Sequence, residues 1–234
     1  MFKLITRYFS KPKRFFTSDL HFGHKNVIPY CNRPYKDVEE MHKAIIKMWN
    51  KTVRKKDTVY VLGDFSLNPK WSKEIIPLLN GNKILISGNH DATFLFPAKE
   101  NTKSAIEGAE RRHKKMCERY IQDGWKSIHQ ILSLSLKSGH NVLLSHLPFA
   151  PKDKEEFDTK YLDLRPKDEG QLLLCGHLHG IFIKYNNMID VGIDAHEMKL
   201  ISEDDVIKLI NDERNYIPSK LTEYYKTKEN KYDG

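Results

Sequence analysis

An α/β fold with mixed β-sheets is the architecture the sequence predicts, on three observations. In the first half, strand-like runs alternate with stretches of helical periodicity. In the second half, short strands follow one another as hairpins. Five of the strand-like runs also end directly in clusters of histidine, aspartate and asparagine. Alternation implies parallel strands joined by crossover helices, whereas hairpins imply antiparallel pairing, so the sheets should be mixed. A chain of 234 residues is long enough for one well-buried core and fits a single domain. That domain is expected over 1–214, with 1–13 as a lead-in and 215–234 as a charged, loosely packed tail.

Taken in order, a strand is expected at about 14–18 and a helix at about 37–52, where Val38, Met41, Ile45, Met48 and Trp49 recur with helical spacing. A strand at 58–62, a helix around 70–80 and a strand at 83–87 follow. Residues 103–123 read as a basic helix, placed as an insert or lid between the third and fourth clusters. Residues 128–136 and 141–145 read as an antiparallel pair turning at Ser138-Gly139. Strands are expected at 171–175, 181–185 and 188–193, the last two forming a hairpin at Asn186-Asn187. Ser202 opens a final helix, with Asp205 completing an approximate capping box.

The net charge of +8 draws anions, which fits phosphorylated small molecules or nucleic acid. No apolar run approaches the roughly 20 residues that span a bilayer, so no membrane partner is expected. The basic, aromatic start MFKLITRYFSKPKRFF lacks the continuous apolar stretch of a secretory signal and suits an extra edge strand or a loose lead-in. Cys31, Cys117 and Cys175 form no CxxC pair and read as free thiols of a reducing cytoplasm.

The five clusters carry the chemistry. Asp19-Leu20-His21 follows RFFTS, Gly63-Asp64 follows TVYVL, Gly88-Asn89-His90-Asp91 follows KILIS, Ser145-His146 follows NVLL, and Gly176-His177-Leu178-His179 follows QLLLC. The carboxyl edge of an α/β sheet is where side chains from separate segments converge. Carboxylates and imidazoles without thiolates suit borderline divalent ions such as Mn, Fe, Co, Ni or Zn. Asp19 and His21, like His177 and His179, are two residues apart, so on extended backbone they would share a side. Asp64 is the only ligand type in its block and is the natural carboxylate to lie between two ions.

In this order the clusters resemble the calcineurin-like metallophosphoesterase superfamily, over residues 14 to about 195. The resemblance implies a four-layer αββα sandwich in which two mixed sheets pack together. It also implies two divalent cations, manganese being the expected metal. One would be held by Asp19, His21, Asp64 and His179, the other by Asp64, Asn89, His146 and His177. His90 resembles the histidine that contacts the scissile phosphate with Asn89 and protonates the leaving oxygen, with Asp91 fixing its orientation. The implied reaction is phosphoester hydrolysis by a metal-bridging hydroxide, with the cations also clamping the phosphoryl oxygens. One departure is visible: Phe65-Ser66-Leu67 follows Asp64, where many members have Gly or Asp at the third place.

The longer stretch FTSDLHFGHKNVIPYCNRPY resembles small metallophosphoesterases of tailed phages and bacteria, a neighbourhood that includes a phage deoxynucleoside-5′-monophosphatase. A nucleotide monoester is therefore the leading substrate class, with a diesterase or nuclease as the alternative. A non-catalytic binding module is the remote third reading, disfavoured because His90 and every expected ligand are present. Arg33 offers a bidentate fork for a phosphate, and His24 lies on the same loop. His24 and Asn26 equally suit capping of the following turn. The run Arg111-Arg112-His113-Lys114-Lys115 is either a solvated helix face or a basic rim that steers nucleotides. Tyr30, Tyr35 and Phe94 are candidates for stacking on a base.

Overall fold

Strand β1 (Arg14–Thr17) pairs in parallel with β2 (Thr58–Val61), β2 with β3 (Asn82–Ile86), and β3 with β4 (Ser127–His129). The computed structural model that defines these elements describes residues 11–98, 100–151 and 160–217. Strand β10 (Ile201–Ser202) adds antiparallel to the free side of β1, completing a five-stranded sheet of order β10-β1-β2-β3-β4. The second sheet has the order β5-β6-β7-β9-β8, from β5 (Ile131–Ser135), β6 (Asn141–Ser145), β7 (Leu172–Cys175), β8 (Lys184–Tyr185) and β9 (Met188–Asp190). Its outer pairs β5–β6 and β8–β9 are antiparallel and its central pairs are parallel, so both sheets are mixed, as expected.

The crossovers explain the layering. Helices α1 (Val27–Tyr30) and α2 (Val38–Thr52) join β1 to β2, α3 (Pro69–Ile75) joins β2 to β3, and α4 (Lys103–Asp123) joins β3 to β4. Strands added in one direction through right-handed crossovers place every helix on the same face. There Met41, Ile45 and Trp49 of α2, Ile75 of α3 and Tyr120 of α4 pack against Phe15, Val59, Val61 and Leu85. Alternate residues Phe16, Tyr60, Leu62 and Ile86 point the other way, against Val142, Leu144, Leu174 and Ile189 of the second sheet. Helix α5 (Glu203–Asn211) joins this inter-sheet core through Val206. The second sheet's outer face is covered by Phe149, Leu178 and Phe182 over Leu173 and Met188.

Two expectations are corrected. Residues 128–136 are two strands, not one. The chain breaks at Gln130, sending β4 into the first sheet and β5 into the second, and the Gln130 side chain bonds both the Thr93 carbonyl (2.9 Å) and the Leu95 amide (3.0 Å). Periodicity could not see the break because both halves are apolar. Residues 103–123 are not an insert: they are the β3–β4 crossover, with Tyr120 fully buried. The tail is anchored where it begins, since Tyr216 bridges to Lys184 of β8 (2.8 Å). The lead-in over 1–10 and the tail beyond 217 lie outside the described residues.

Candidate metal centre

All five clusters meet at the carboxyl edge where the two sheets face each other. Three of the five leave their strands through left-handed backbone. Asp19, His21, Asp64, His177 and His179 all have left-handed φ, between 50° and 72°. Non-glycine residues rarely adopt this conformation, and where they do the surrounding structure must hold them there. The expectation of an extended Asp19-x-His21 segment is thereby corrected: the two side chains converge because the backbone kinks twice, not because a strand alternates.

Glycine supplies the closeness. A Cβ on Gly63 would lie 2.5 Å from both Gly88 Cα and His146 Nδ1, and one on Gly176 would lie 2.6 Å from Asp19 Oδ2. Gly63 lets the loops after β2, β3 and β6 touch, and Gly176 those after β1 and β7.

The resulting cluster has two lobes sharing Asp64. Asp64 Oδ2 lies 3.7 Å from His21 Nε2, while Asp64 Oδ1 lies 3.4 Å from His146 Nε2. In the first lobe, Asp19 Oδ1 is 3.8 Å from both His21 Nε2 and His179 Nε2, and those two ring nitrogens are 3.3 Å apart. In the second, His146 Nε2 is 3.1 Å from Asn89 Oδ1, and the His177 ring lies 5.2 Å from the His146 ring. His90 stands above with 43% of its side chain exposed, its ring 5.5 Å from His21 and 6.2 Å from that of His24. The structure therefore brings together Asp19, His21, His24, Asp64, Asn89, His90, His146, His177 and His179.

The donor set fits a cation. Asp19 Oδ1 is buried with no hydrogen-bond partner among the described residues, an expensive state for a carboxylate oxygen unless a positive charge meets it. Protons report the same field. Burial works against charging His146, yet Asp64 and Asp19 raise its pKa, and Asp19 with Asp194 lifts that of His179 to about 11 against the same penalty. His21 moves the other way, depressed by burial and then by its neighbour His179. Groups of ligand atoms close enough to share one ion are Asp19–His21–His179 and Asp19–Asp64–His146.

Two expected roles are corrected. Arg33 is 5% exposed, and its fork is committed to Asp194, with Nε–Oδ1 at 2.8 Å and Nη2–Oδ2 at 2.7 Å. Its remaining donors bond the carbonyls of Asp19 (2.6 Å) and Leu20 (3.2 Å), so it braces the first loop and does not face a phosphate. Asp91 does not orient the His90 ring in its described contacts. Its carboxylate accepts from the amides of Gly88 (2.9 Å), Phe65 (3.0 Å) and Ser66 (3.4 Å), and so ties two site loops together. Burial, then the Asp64 charge, pushes its pKa up to about 7.

Asp194 is a site residue the sequence reading missed. It accepts from His179 Nδ1 at 2.8 Å, which leaves Nε2 facing the cluster. Despite burial, its bonds to His179 and Arg33 keep its pKa below the usual carboxylate range. The signal was present: Asp194 ends the apolar run MIDVGI just as the other clusters end theirs. Cys31 Sγ also approaches His179 Nδ1, at 3.2 Å, placing a thiol beside a centre expected to have none. Cys31, His179 and Asp194 form a third group of suitable spacing, but the guanidinium of Arg33 already neutralises Asp194 there.

A two-sheet α/β sandwich with a carboxylate–imidazole cluster between its sheets is suited to metal-dependent hydrolysis. The chain belongs to the calcineurin-like phosphoesterase family, whose sequence model matches residues 13–180. It is 33% identical to the Gene 66 protein of Mycobacterium phage L5 over 210 residues, covering 84% of this chain and 93% of the phage protein. An uncharacterised protein of Methanocaldococcus jannaschii, MJ1445, is 52% identical over 85 residues, 35% of this chain and 48% of that protein. The crystal structure of AQ665, a protein of unknown function from Aquifex aeolicus, shares the fold with a TM-score of 0.57 at 24% identity, over 85% of this chain and all of that one. No helix among the described residues is long and apolar enough to cross a membrane.

Proposed function

We propose that the chain is a dinuclear phosphomonoesterase whose substrates are 5′-mononucleotides or close analogues. The observation that carries the dinuclear reading is Asp64, whose two oxygens face different histidines, His21 and His146. In this reading Asp19, His21, Asp64 and His179 hold one divalent ion and Asp64, Asn89, His146 and His177 the other, manganese being the expected metal. When bound, the ions supply a hydroxide nucleophile at neutral pH and offset the charge on the phosphoryl group.

The chain's own residues do the rest. His90, exposed above the cluster, donates a proton to the leaving oxygen. Its backbone amide bonds Asp64 Oδ1 at 2.9 Å, which fixes the histidine relative to the shared carboxylate. Asn89 beside His146, and His24 beside His90, would in this reading contact the phosphoryl oxygens.

The net charge of +8 supports an anionic substrate. Cleavage of single-stranded nucleic acid by the same centre is the second reading, favoured by the exposed residues Arg111, Arg112, Lys114 and Lys115 on α4. A panel of 5′-mononucleotides, cyclic nucleotides, a bis-aryl phosphodiester and single-stranded oligonucleotides with added Mn(II) tests both. Mononucleotides should turn over fastest, and His90→Ala should suppress that turnover. A wild-type protein inert towards every phosphoester with Mn, Fe, Co, Ni and Zn would end the enzyme reading.

A further inference from the structure

Beside the metal centre lies a row of aromatic rings that the hydrolytic chemistry does not use. The Tyr161 ring is 6.1 Å from that of His177, Phe96 is 6.0 Å from Tyr161, and Phe94 is 4.7 Å from Phe96. The row thus runs outward from a proposed metal ligand. Phe94 and Phe96 then line a groove of about 620 Å³ between residues 92–98 and α4, with Arg112 among its walls.

Three features set these rings apart from ordinary core packing. Phe96 is 43% exposed and its neighbour Leu95 38%, so the loop presents apolar surface to solvent directly after His90-Asp91. The loop is nonetheless tethered, with the Phe94 amide on the Asp91 carbonyl (3.0 Å) and the Leu95 amide on Gln130 Oε1 (3.0 Å). Tyr161 has a left-handed φ of 58°, an unfavourable backbone for a bulky residue, and in that conformation its ring stands between Phe96 and His177. Strained backbone clusters at ligand clamps.

We infer that Tyr161 and Phe96 bind the substrate's base, stacking a nucleobase while its 5′-phosphate lies at the metal centre, and so select nucleotides over baseless phosphates. The inference rests on the phosphoesterase reading above and names the part of the substrate that reading leaves open. A flat π-system suits this row because stacking on aromatic side chains holds any base without demanding a hydrogen-bond pattern. The expected enzyme therefore prefers nucleotides over baseless phosphates and discriminates weakly among bases.

The test compares thymidine 5′-monophosphate with ribose 5-phosphate, in Mn(II), for wild type, Tyr161→Ala, Tyr161→Phe and Phe96→Ala. In wild type kcat/KM should favour the nucleotide. In Tyr161→Ala and Phe96→Ala that preference should fall by about ten-fold, chiefly through KM for the nucleotide, as expected for loss of one stacking partner. Tyr161→Phe should restore it. Saturation-transfer NMR of thymidine on metal-free protein gives a readout independent of turnover: binding should be present in wild type, lost in Tyr161→Ala and retained in Tyr161→Phe. An unchanged substrate ratio in both alanine variants, or thymidine binding that survives Tyr161→Ala, overturns the inference. A wild type that hydrolyses neither monoester overturns the phosphomonoesterase reading instead, and the thymidine result still decides whether the rings hold a base.

Discussion

The two lobes of the centre are held by different means. Around His179, the fixing groups lie outside the five clusters: Asp194 takes the Nδ1 proton, and Arg33 clamps Asp194 while bonding the Asp19 and Leu20 carbonyls. Around His146 the fixing groups are main chain and cluster residues: Nδ1 donates to the Leu62 carbonyl at 2.8 Å, Asp64 accepts from the His90 amide, and Asp91 gathers three loop amides. Both lobes reach across the two sheets, the second through His146 and His177. The amides that Asp64 and Asp91 gather in the second, however, all come from the loops after the adjacent parallel strands β2 and β3, close enough for backbone to be braced locally. The first spans the loop after β1 and the segments after β7 and β9, on two sheets, where long side chains must fill the gap. One lobe should therefore be vulnerable at residues that look incidental in the sequence, and the other only at the clusters themselves.

The largest effect should come from Asp64, the residue the lobes share. Asp64→Asn should remove measurable phosphoester hydrolysis and lower the bound metal found by elemental analysis. Retention of both would break the two-lobe description. Next comes Asp91→Ala, which strips the acceptor from three buried amides. At about 1–3 kcal/mol for each donor left unsatisfied, chemical denaturation should show a loss of at least about 3 kcal/mol. A loss within experimental error would mean that the backbone lobe does not depend on that carboxylate.

Asp194→Asn should weaken metal binding or kcat/KM by about 10–100-fold, the usual consequence of losing the partner that orients a ligating histidine. Arg33→Ala should behave similarly, and Arg33→Lys should recover only part, because an ammonium cannot reproduce the two-pronged contact. If Arg33→Ala matches wild type in both metal content and turnover, the side-chain brace is not what holds this lobe.

A smaller effect concerns pH. Burial, with the Asp19 charge, raises the pKa of Asp190 from 3.8 to about 7, although its oxygens accept from the amides of Gly180 (3.0 Å) and Gly192 (2.7 Å). The folded chain keeps this proton where the unfolded chain has lost it. Asp190 therefore contributes a fall in stability as pH rises from about 4 to about 7. In metal-free protein, Asp190→Asn should flatten the dependence of the denaturation midpoint over that range; an unaltered slope would refute the assignment. The smallest change should follow Cys31→Ser, because Asp194 already accepts the His179 Nδ1 proton. A large loss of metal there would show instead that the thiol participates in the first lobe.

Much of the candidate site was legible because metal-type side chains and strands leave local marks. Asp19, His21, Asp64, Asn89, His90, His146, His177 and His179 each sit at or just beyond the end of an apolar run, and all meet at one edge. Arg33 and Asp91 were visible as residues but not as roles. A charged group next to a cluster looks the same in sequence whether it faces a ligand or braces a loop. Tyr161 was passed over because a left-handed backbone marks it, and Asp194 because the end of MIDVGI, a local mark, does not reveal its contacts to His179 and Arg33. The break at Gln130 was hidden for a similar reason, since an apolar run does not record which sheet each half will join.

By itself, then, the sequence determined the α/β class, the mixed sheets, the residues that gather and the family to which the chain belongs. Periodicity and residue type are local properties, and the edge of a sheet collects whatever its strands end in. The tertiary structure alone decided that Arg33 faces inward, that Asp91 serves the backbone, that Asp194 holds His179, and that a row of aromatic rings leads away from His177. Those outcomes depend on which loops the packing of two sheets brings within a few ångströms, and no window along the chain contains that information.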